Sequence, residues 1–156
     1  MIIKLVQHCL IICLTFTLGS LTAQSESDNI LSTVNLVNEA INTKNAELID
    51  SAFIKTSALF YGVKDEIALE PYSENTHTAN GLAYFIKYWK ENEINVTQLF
   101  DDIDILENRQ GMAIVKTNYT AHRDGNPTHW GKEIYSLILT KNGWKIVSCI
   151  FSINTE

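Results

Sequence analysis

From Asn95 to Ile153 the chain reads as four long strands separated by turns too short to hold anything else. The strand candidates are Asn95 to Glu107, Gly111 to His122, Thr128 to Lys141 and Trp144 to Ile153. Arg109-Gln110, Asp124-Gly125 and Asn142-Gly143 punctuate them. The last two pairs are the stronger signals, because Asp or Asn followed by Gly accepts the positive φ angles of a tight hairpin turn. Strands joined so closely must be antiparallel neighbours. The earlier residues must then cover this sheet, and their apolar spacing is helical. Ile30, Leu31, Val34, Val37 and Ile41, with Leu36 and Ala40 offset, predict a helix over 28–43, with Ser27 or Asp28 placed to cap it. Asn45 can cap a second helix through Ile54. Ala58 to Val63 reads as a strand, Glu66 to Leu69 as a weaker one, and Pro71 to Asn80 as a loop. Gly81 to Asn92 returns to helical spacing through Leu82, Phe85, Ile86 and Trp89. Helices first and a long antiparallel sheet last make an α+β domain.

The first 23 residues have the parts of an export signal. Lys4 supplies a positive start, Leu5 to Leu18 is almost wholly apolar, and Gly19 to Ala23 offers small residues before Gln24. The apolar run is short for a permanent membrane span. Cleavage after Ala23 is expected; a lipid anchor on Cys13 is disfavoured by bulky Ile12 before it. The protein is therefore expected to be secreted or periplasmic, with residues 24–156 forming a single domain and no stable membrane anchor after processing. Of the 156 residues, 12 are basic and 18 acidic, a formal charge of −6 that becomes −7 once Lys4 leaves. With no basic stripe, nucleic acid is not an expected partner. Cys9 and Cys13 leave with the signal, so Cys149 has no partner for an internal disulfide. It sits in the apolar run Ile146 to Ile153 and reads as a buried small hydrophobe.

A two-residue turn at Asp124-Gly125 predicts which side chains meet across the hairpin. Thr120 would face His129, Asn118 Gly131, Lys116 Glu133 and Ile114 Tyr135, all on one side of the sheet. Tyr119 opposite Trp130 would lie on the other side. Both faces are mixed in polarity, so alternation alone does not say which is inner. Lys116 and Glu133 are then either an ordinary cross-strand ion pair or a charged pair lining a pocket. His129 is the candidate acid, base or ligand hydrogen-bonder, with Glu133 and Thr120 placed to orient it. His122 falls at the hairpin tip, where solvent is expected, and His77 lies in the 71–80 loop. Asp101, Asp102 and Asp104 read as a solvated strand edge. Tyr61, Tyr84 and Tyr135 can offer hydroxyls at a pocket rim. There is no Gly-rich phosphate loop, no Gly-x-Ser-x-Gly and no His-Glu-x-x-His, so no cofactor or metal is called for.

The order of two helices, a short strand, a third helix and a long sheet closing on Gly143-Trp144-Lys145-Ile146-Val147 resembles the nuclear transport factor 2-like superfamily. That group includes the SnoaL-like cyclases and ketosteroid isomerase. The stretch from Asp124 to Gly131, with its His129-Trp130-Gly131, is similar to a bacterial branch named for lumazine binding. The resemblance implies a cone: a curled antiparallel sheet closed by three helices around a pocket. It also implies an inward position for Tyr135, eight residues before Gly143, and so a cavity lined by Lys116, Asn118, His129, Glu133 and Tyr135. The isomerase machinery does not carry over. Its base falls at about Tyr61 and its helix-one tyrosine at about Val37, leaving neither a carboxylate base nor an acid–tyrosine pair at the corresponding positions.

Three function classes follow. The first is a non-catalytic pocket for a small, partly aromatic molecule, contacted by Tyr61, His129, Glu133 and Tyr135. The second is a SnoaL-like isomerase, cyclase or dehydratase with His129 as acid/base and Tyr135 as donor. The third is an interaction module, such as a homodimer, formed through an outer face around Tyr119 and Trp130. The fold alone does not choose among them.

Overall fold

The computed structural model describes residues 26–54, 58–64 and 79–155. The export signal, the weak strand at Glu66 to Leu69, and most of the 71–80 loop with His77 lie outside the described residues.

Residues 26–43 form helix α1, followed by α2 (Glu47–Ala52), strand β1 (Leu59–Lys64) and α3 (Ala79–Glu91). Ile30, Val34, Val37 and Ile41 are buried along one stripe of α1, as their spacing requires. Ser27 and Asp28 are themselves helical rather than caps. At the other end Lys44 turns into the left-handed region (φ 57°). Its ammonium donates to the carbonyl of Ile41 at 2.7 Å and to that of Val96, tying the helix terminus to the sheet. The N-cap of α2 is Ala46 rather than Asn45, which stands one residue earlier and accepts the Glu47 N–H on Oδ1 at 3.1 Å.

Four strands complete the chain: β2 (Val96–Arg109), β3 (Met112–Arg123), β4 (Asn126–Thr140) and β5 (Gly143–Ile153). Their turns carry the positive φ angles that the sequence called for: Gln110 52° with Gly111 77°, Asp124 53° with Gly125 81°, and Gly143 91°. The sheet order is β1-β5-β4-β3-β2. The four late strands are antiparallel, but β1 lies parallel to β5, so the sheet is mixed rather than wholly antiparallel. The helices pack on its inner face. Ile30, Ile49, Ile86, Leu137 and Ile146 are fully buried there, each worth roughly 1.5–3 kcal/mol of transfer free energy. None of the described helices is long and apolar enough to cross a membrane.

The β3–β4 register differs from the expected one by a single residue. Next to the turn, Arg123 pairs with Asn126 and His122 with Pro127, as a two-residue loop requires. Then Ala121 pairs with His129, leaving Thr128 as an extra residue in β4. Pro127 has no N–H for the ladder, and bulges are where strands accommodate proline. Every later pair is therefore displaced: Thr120 faces Trp130, Thr117 faces Glu133, Lys116 faces Ile134 and Val115 faces Tyr135. A one-residue slip exchanges the faces of one strand relative to the other. Ala113, Val115, Thr117, Tyr119 and Ala121 now share the buried inner side with Glu133, Tyr135 and Leu137. Lys116 and Asn118 lie on the outer side. There Lys116 pairs with Asp104 (3.1 Å), not Glu133, and Asn118 donates to Asp102 (3.1 Å). Tyr119 is inward and buried, not outward beside Trp130.

Candidate functional site

A cavity of about 440 Å³ lies between α3 and the inner face of the sheet. Its walls are mostly apolar and aromatic: Phe60 from β1, Leu82, Phe85 and Trp89 from α3, Val96 from β2 and Phe151 from β5. Phe85 and Trp89 sit one helical turn apart, and their rings stack at 6.1 Å. This volume suits a drug-sized molecule, and apolar walls with a few placed polar groups are the usual composition of such sites.

The deepest polar feature is Glu133. Its side chain is almost completely buried, yet it reaches the cavity lining. Gln98 Nε2 donates to Oε1 at 2.7 Å, and the Tyr135 hydroxyl donates to Oε2 in a short hydrogen bond. A buried carboxyl is costly when charged, and these two donors offset only part of that cost. Burial pushes the Glu133 carboxyl up to about 7, with the hydrogen bonds from Tyr135 and Gln98 pulling against it. Burial likewise raises Tyr135 and Cys149 well above their ordinary values, so both remain protonated at neutral pH. Cys149 is a packed, neutral thiol, not a nucleophile.

Gln98 is held in place by a clamp from outside the sheet. On α1, Asn42 accepts the Gln98 backbone N–H on Oδ1 at 2.7 Å and donates from Nδ2 to the Gln98 carbonyl at 2.9 Å. The amide thereby acts as one residue of a neighbouring strand on the free edge of β2. Tyr119 is fixed in a comparable way: its hydroxyl donates to the Ser152 carbonyl on β5 at 2.8 Å. It reaches past its cross-strand partner Gly131, where a Cβ would stand 2.0 Å from that same carbonyl oxygen.

At the hairpin end of the cavity, His122, Arg123, Thr128 and His129 all reach the lining. Across the β2–β3 ladder, Val96, Thr97 and Gln98 line the same end opposite Arg123, His122 and Ala121. The extra residue Thr128 interrupts the β3–β4 ladder beside them. Thr128 anchors the bulge by donating to the Ala121 carbonyl at 3.2 Å, and its hydroxyl lies 3.1 Å from His129 Nδ1. The His129 ring meets Tyr119 edge-on at 5.7 Å. His122 Nδ1 is shielded from solvent and has no hydrogen-bond partner among the described residues.

Of the residues singled out from the sequence, the structure brings three together. His129 and Glu133 line the cavity, and Tyr135 lies directly behind Glu133. Lys116 and Asn118 do not join them, because the bulge places both on the outer face. Nor does Tyr61, which alternates with the cavity-lining Phe60 on β1 and so projects from the other side. The resemblance to ketosteroid isomerase implied no acid–tyrosine pair at the corresponding positions, yet Glu133 and Tyr135 form one, from a single strand. His122 faces the cavity rather than solvent. Gln98, Tyr119 and Asn42 were not identified as site residues. Asn42 carried no signal, but Pro127 beside Asp124-Gly125 was a readable warning of the bulge. The aspartates follow the edge-strand reading. A bulge with Asp102 at φ 50° breaks their alternation, and no cluster of three metal-binding side chains occurs among the described residues.

No family model and no curated protein matches the chain. Solved structures do. A nuclear transport factor 2-like protein with a cystatin-like fold from Novosphingobium aromaticivorans superposes with a TM-score of 0.70 at 11% identity, covering 90% of this chain and 89% of that one. The fold is nuclear transport factor 2-like. The β subunit of a proposed aromatic-ring-hydroxylating dioxygenase from the same organism gives 0.65 at 13% identity, over 88% and 93% of the two chains. A nuclear transport factor 2-like protein from Cytophaga hutchinsonii gives 0.61 at 15%, over 83% and 98%. At these identities the likeness speaks for the fold alone.

Proposed function

We propose that this chain is an exported small-molecule-binding protein whose ligand occupies the cavity between α3 and the sheet. The observation that carries the reading is the pairing of aromatic walls with one buried, hydrogen-bonded carboxyl, Glu133, at the deep end. A core position would not keep an acid unless something compensated its burial. Native mass spectrometry of the protein from its own cells, before and after denaturation, tests this. A retained small molecule is expected, and Ala121→Phe, which projects a ring into the cavity, should lose it. Retention of the same molecule by that variant would overturn the reading. The same preparation tests export, since processing after Ala23 leaves a chain that begins at Gln24.

A second reading is favoured by one specific observation. A carboxyl pushed up to about 7 inside an apolar cavity suits general acid–base work near neutral pH. In a SnoaL-like isomerase, cyclase or dehydratase, Glu133 would take that role, with His129 nearer the opening. Once the ligand is identified, Glu133→Gln separates the two readings: an enzyme loses turnover, whereas a binder loses only affinity. The outer face, which exposes Ile114, Trp130, Ile134 and Ile150, is a candidate homodimer surface. Concentration-dependent sedimentation tests it.

A further inference from the structure

The cavity is polar at two places of opposite character. Among the described residues that line it, Glu133 is the only carboxylic acid, and it lies at the deep end. The basic side chains of the lining, His122, Arg123 and His129, all come from the β3–β4 hairpin. Arg123 makes no ion pair among the described residues. His122 lines the same end of the cavity, although its Nδ1 is shielded from water and has no hydrogen-bond partner among the described residues.

The structure assigns this cavity to an amphipathic organic anion: an aromatic or alkyl body among Phe60, Phe85, Trp89 and Phe151, with a carboxylate or sulfonate held by His122 and Arg123. The assignment rests on the pocket reading above and specifies its ligand class. Three features support it. Two basic residues adjacent in sequence, His122 and Arg123, both line the hairpin end of the cavity. Hydrogen bonds from Arg or protonated His to an oxyanion are among the strong ones, and the guanidinium matches a carboxylate or sulfonate geometrically. The deep end repels a second negative charge once Glu133 ionises, so the anionic group is directed to the hairpin end and the apolar body inward.

Two fluorescent probes test this directly. Anilinonaphthalene sulfonate and uncharged phenylnaphthylamine share an aromatic skeleton and differ by the sulfonate. The sulfonate should bind the protein about tenfold or more tightly than phenylnaphthylamine. His122→Gln with Arg123→Gln should remove that advantage and leave phenylnaphthylamine affinity within about twofold. Both probes should be lost from Ala121→Phe, with circular dichroism and urea unfolding showing that each variant folds. Equal affinity for the two probes, or a sulfonate affinity unmoved in the double variant, would overturn the anion assignment while leaving the pocket standing. Failure of both probes to bind the unaltered protein, or undiminished binding of both to Ala121→Phe, would instead overturn the pocket reading itself.

Discussion

Replacing Glu133 by Gln removes one titration and little else. The two side chains have nearly the same shape, and a Gln amide can still satisfy Gln98 and Tyr135 by turning one amide over. In the unaltered protein the carboxyl moves from the ordinary 4.5 to about 7 on folding, chiefly through burial. Each pH unit of that displacement corresponds to about 1.4 kcal/mol, so the whole is about 3 kcal/mol. The direction follows from proton counts. Below the unfolded value both states hold the proton and nothing is lost. Between 4.5 and about 7 the native state holds a proton that the unfolded chain has released, so stability falls as pH rises. Above that window the full penalty persists. Urea unfolding followed by tryptophan fluorescence, in steps from about pH 4 to about pH 8, measures it. Other carboxyls titrate in both proteins and cancel in the difference. The unaltered protein should lose about 3 kcal/mol relative to Glu133→Gln across the range. A difference that stays flat within about 1 kcal/mol, or that runs the other way, would refute the placement of Glu133 as a buried acid under strain of desolvation.

The other expectations concern what holds this acid and the strands around it. Tyr135→Phe removes a donor that favours the ionised form, so the midpoint of the same pH profile should move upward. Asn42→Leu deletes both hydrogen bonds to the Gln98 backbone and should cost about 2 kcal/mol, with faster amide exchange at Gln98. In Gly131→Ala the new Cβ would overlap the Ser152 carbonyl, so β4 and β5 must separate; a loss of about 3 kcal/mol in urea unfolding is expected. Lys116→Ala breaks only an exposed pair with Asp104 and should change stability by less than about 1 kcal/mol. A large loss there would mean that the outer-face placement is wrong.

The strands, their turns and the helical stripes could all be read from the sequence because each is a local pattern. Asp124-Gly125 specified its hairpin, and Ile30, Val34, Val37 and Ile41 specified the buried side of α1. Register was less legible, because Pro127 warned of a bulge without showing which side chains it would bring inward. One bulge after Pro127 moved Lys116 and Asn118 away from the cavity and brought Tyr119 into it. The expected inward side of β4 was right, since His129, Glu133 and Tyr135 share it, while that of β3 was reversed. The parallel pairing of β1 with β5 was also out of reach, because no local spacing encodes a contact between distant segments. Gln98 and Asn42 were missed for the same reason: their link joins residues 56 apart, and neither is unusual where it stands.

That parallel pairing sets a timetable. Leu59 meets Ser148, 89 positions later in the chain, and Phe53 bridges to Ile146. During synthesis α1, α2, β1 and α3 are all made before β5, the strand against which β1 aligns. The hairpins β2 to β5 can zip from one turn to the next, but the pairing that joins the two halves must wait for the end of the chain. Until then the apolar stripe of α1 and the aromatic side of α3 have no finished sheet to cover them, the state in which nascent chains aggregate or engage chaperones. A message cut short before Gly143 would therefore yield a chain whose cavity is never closed, because Phe60 and Phe151 would never meet across its wall.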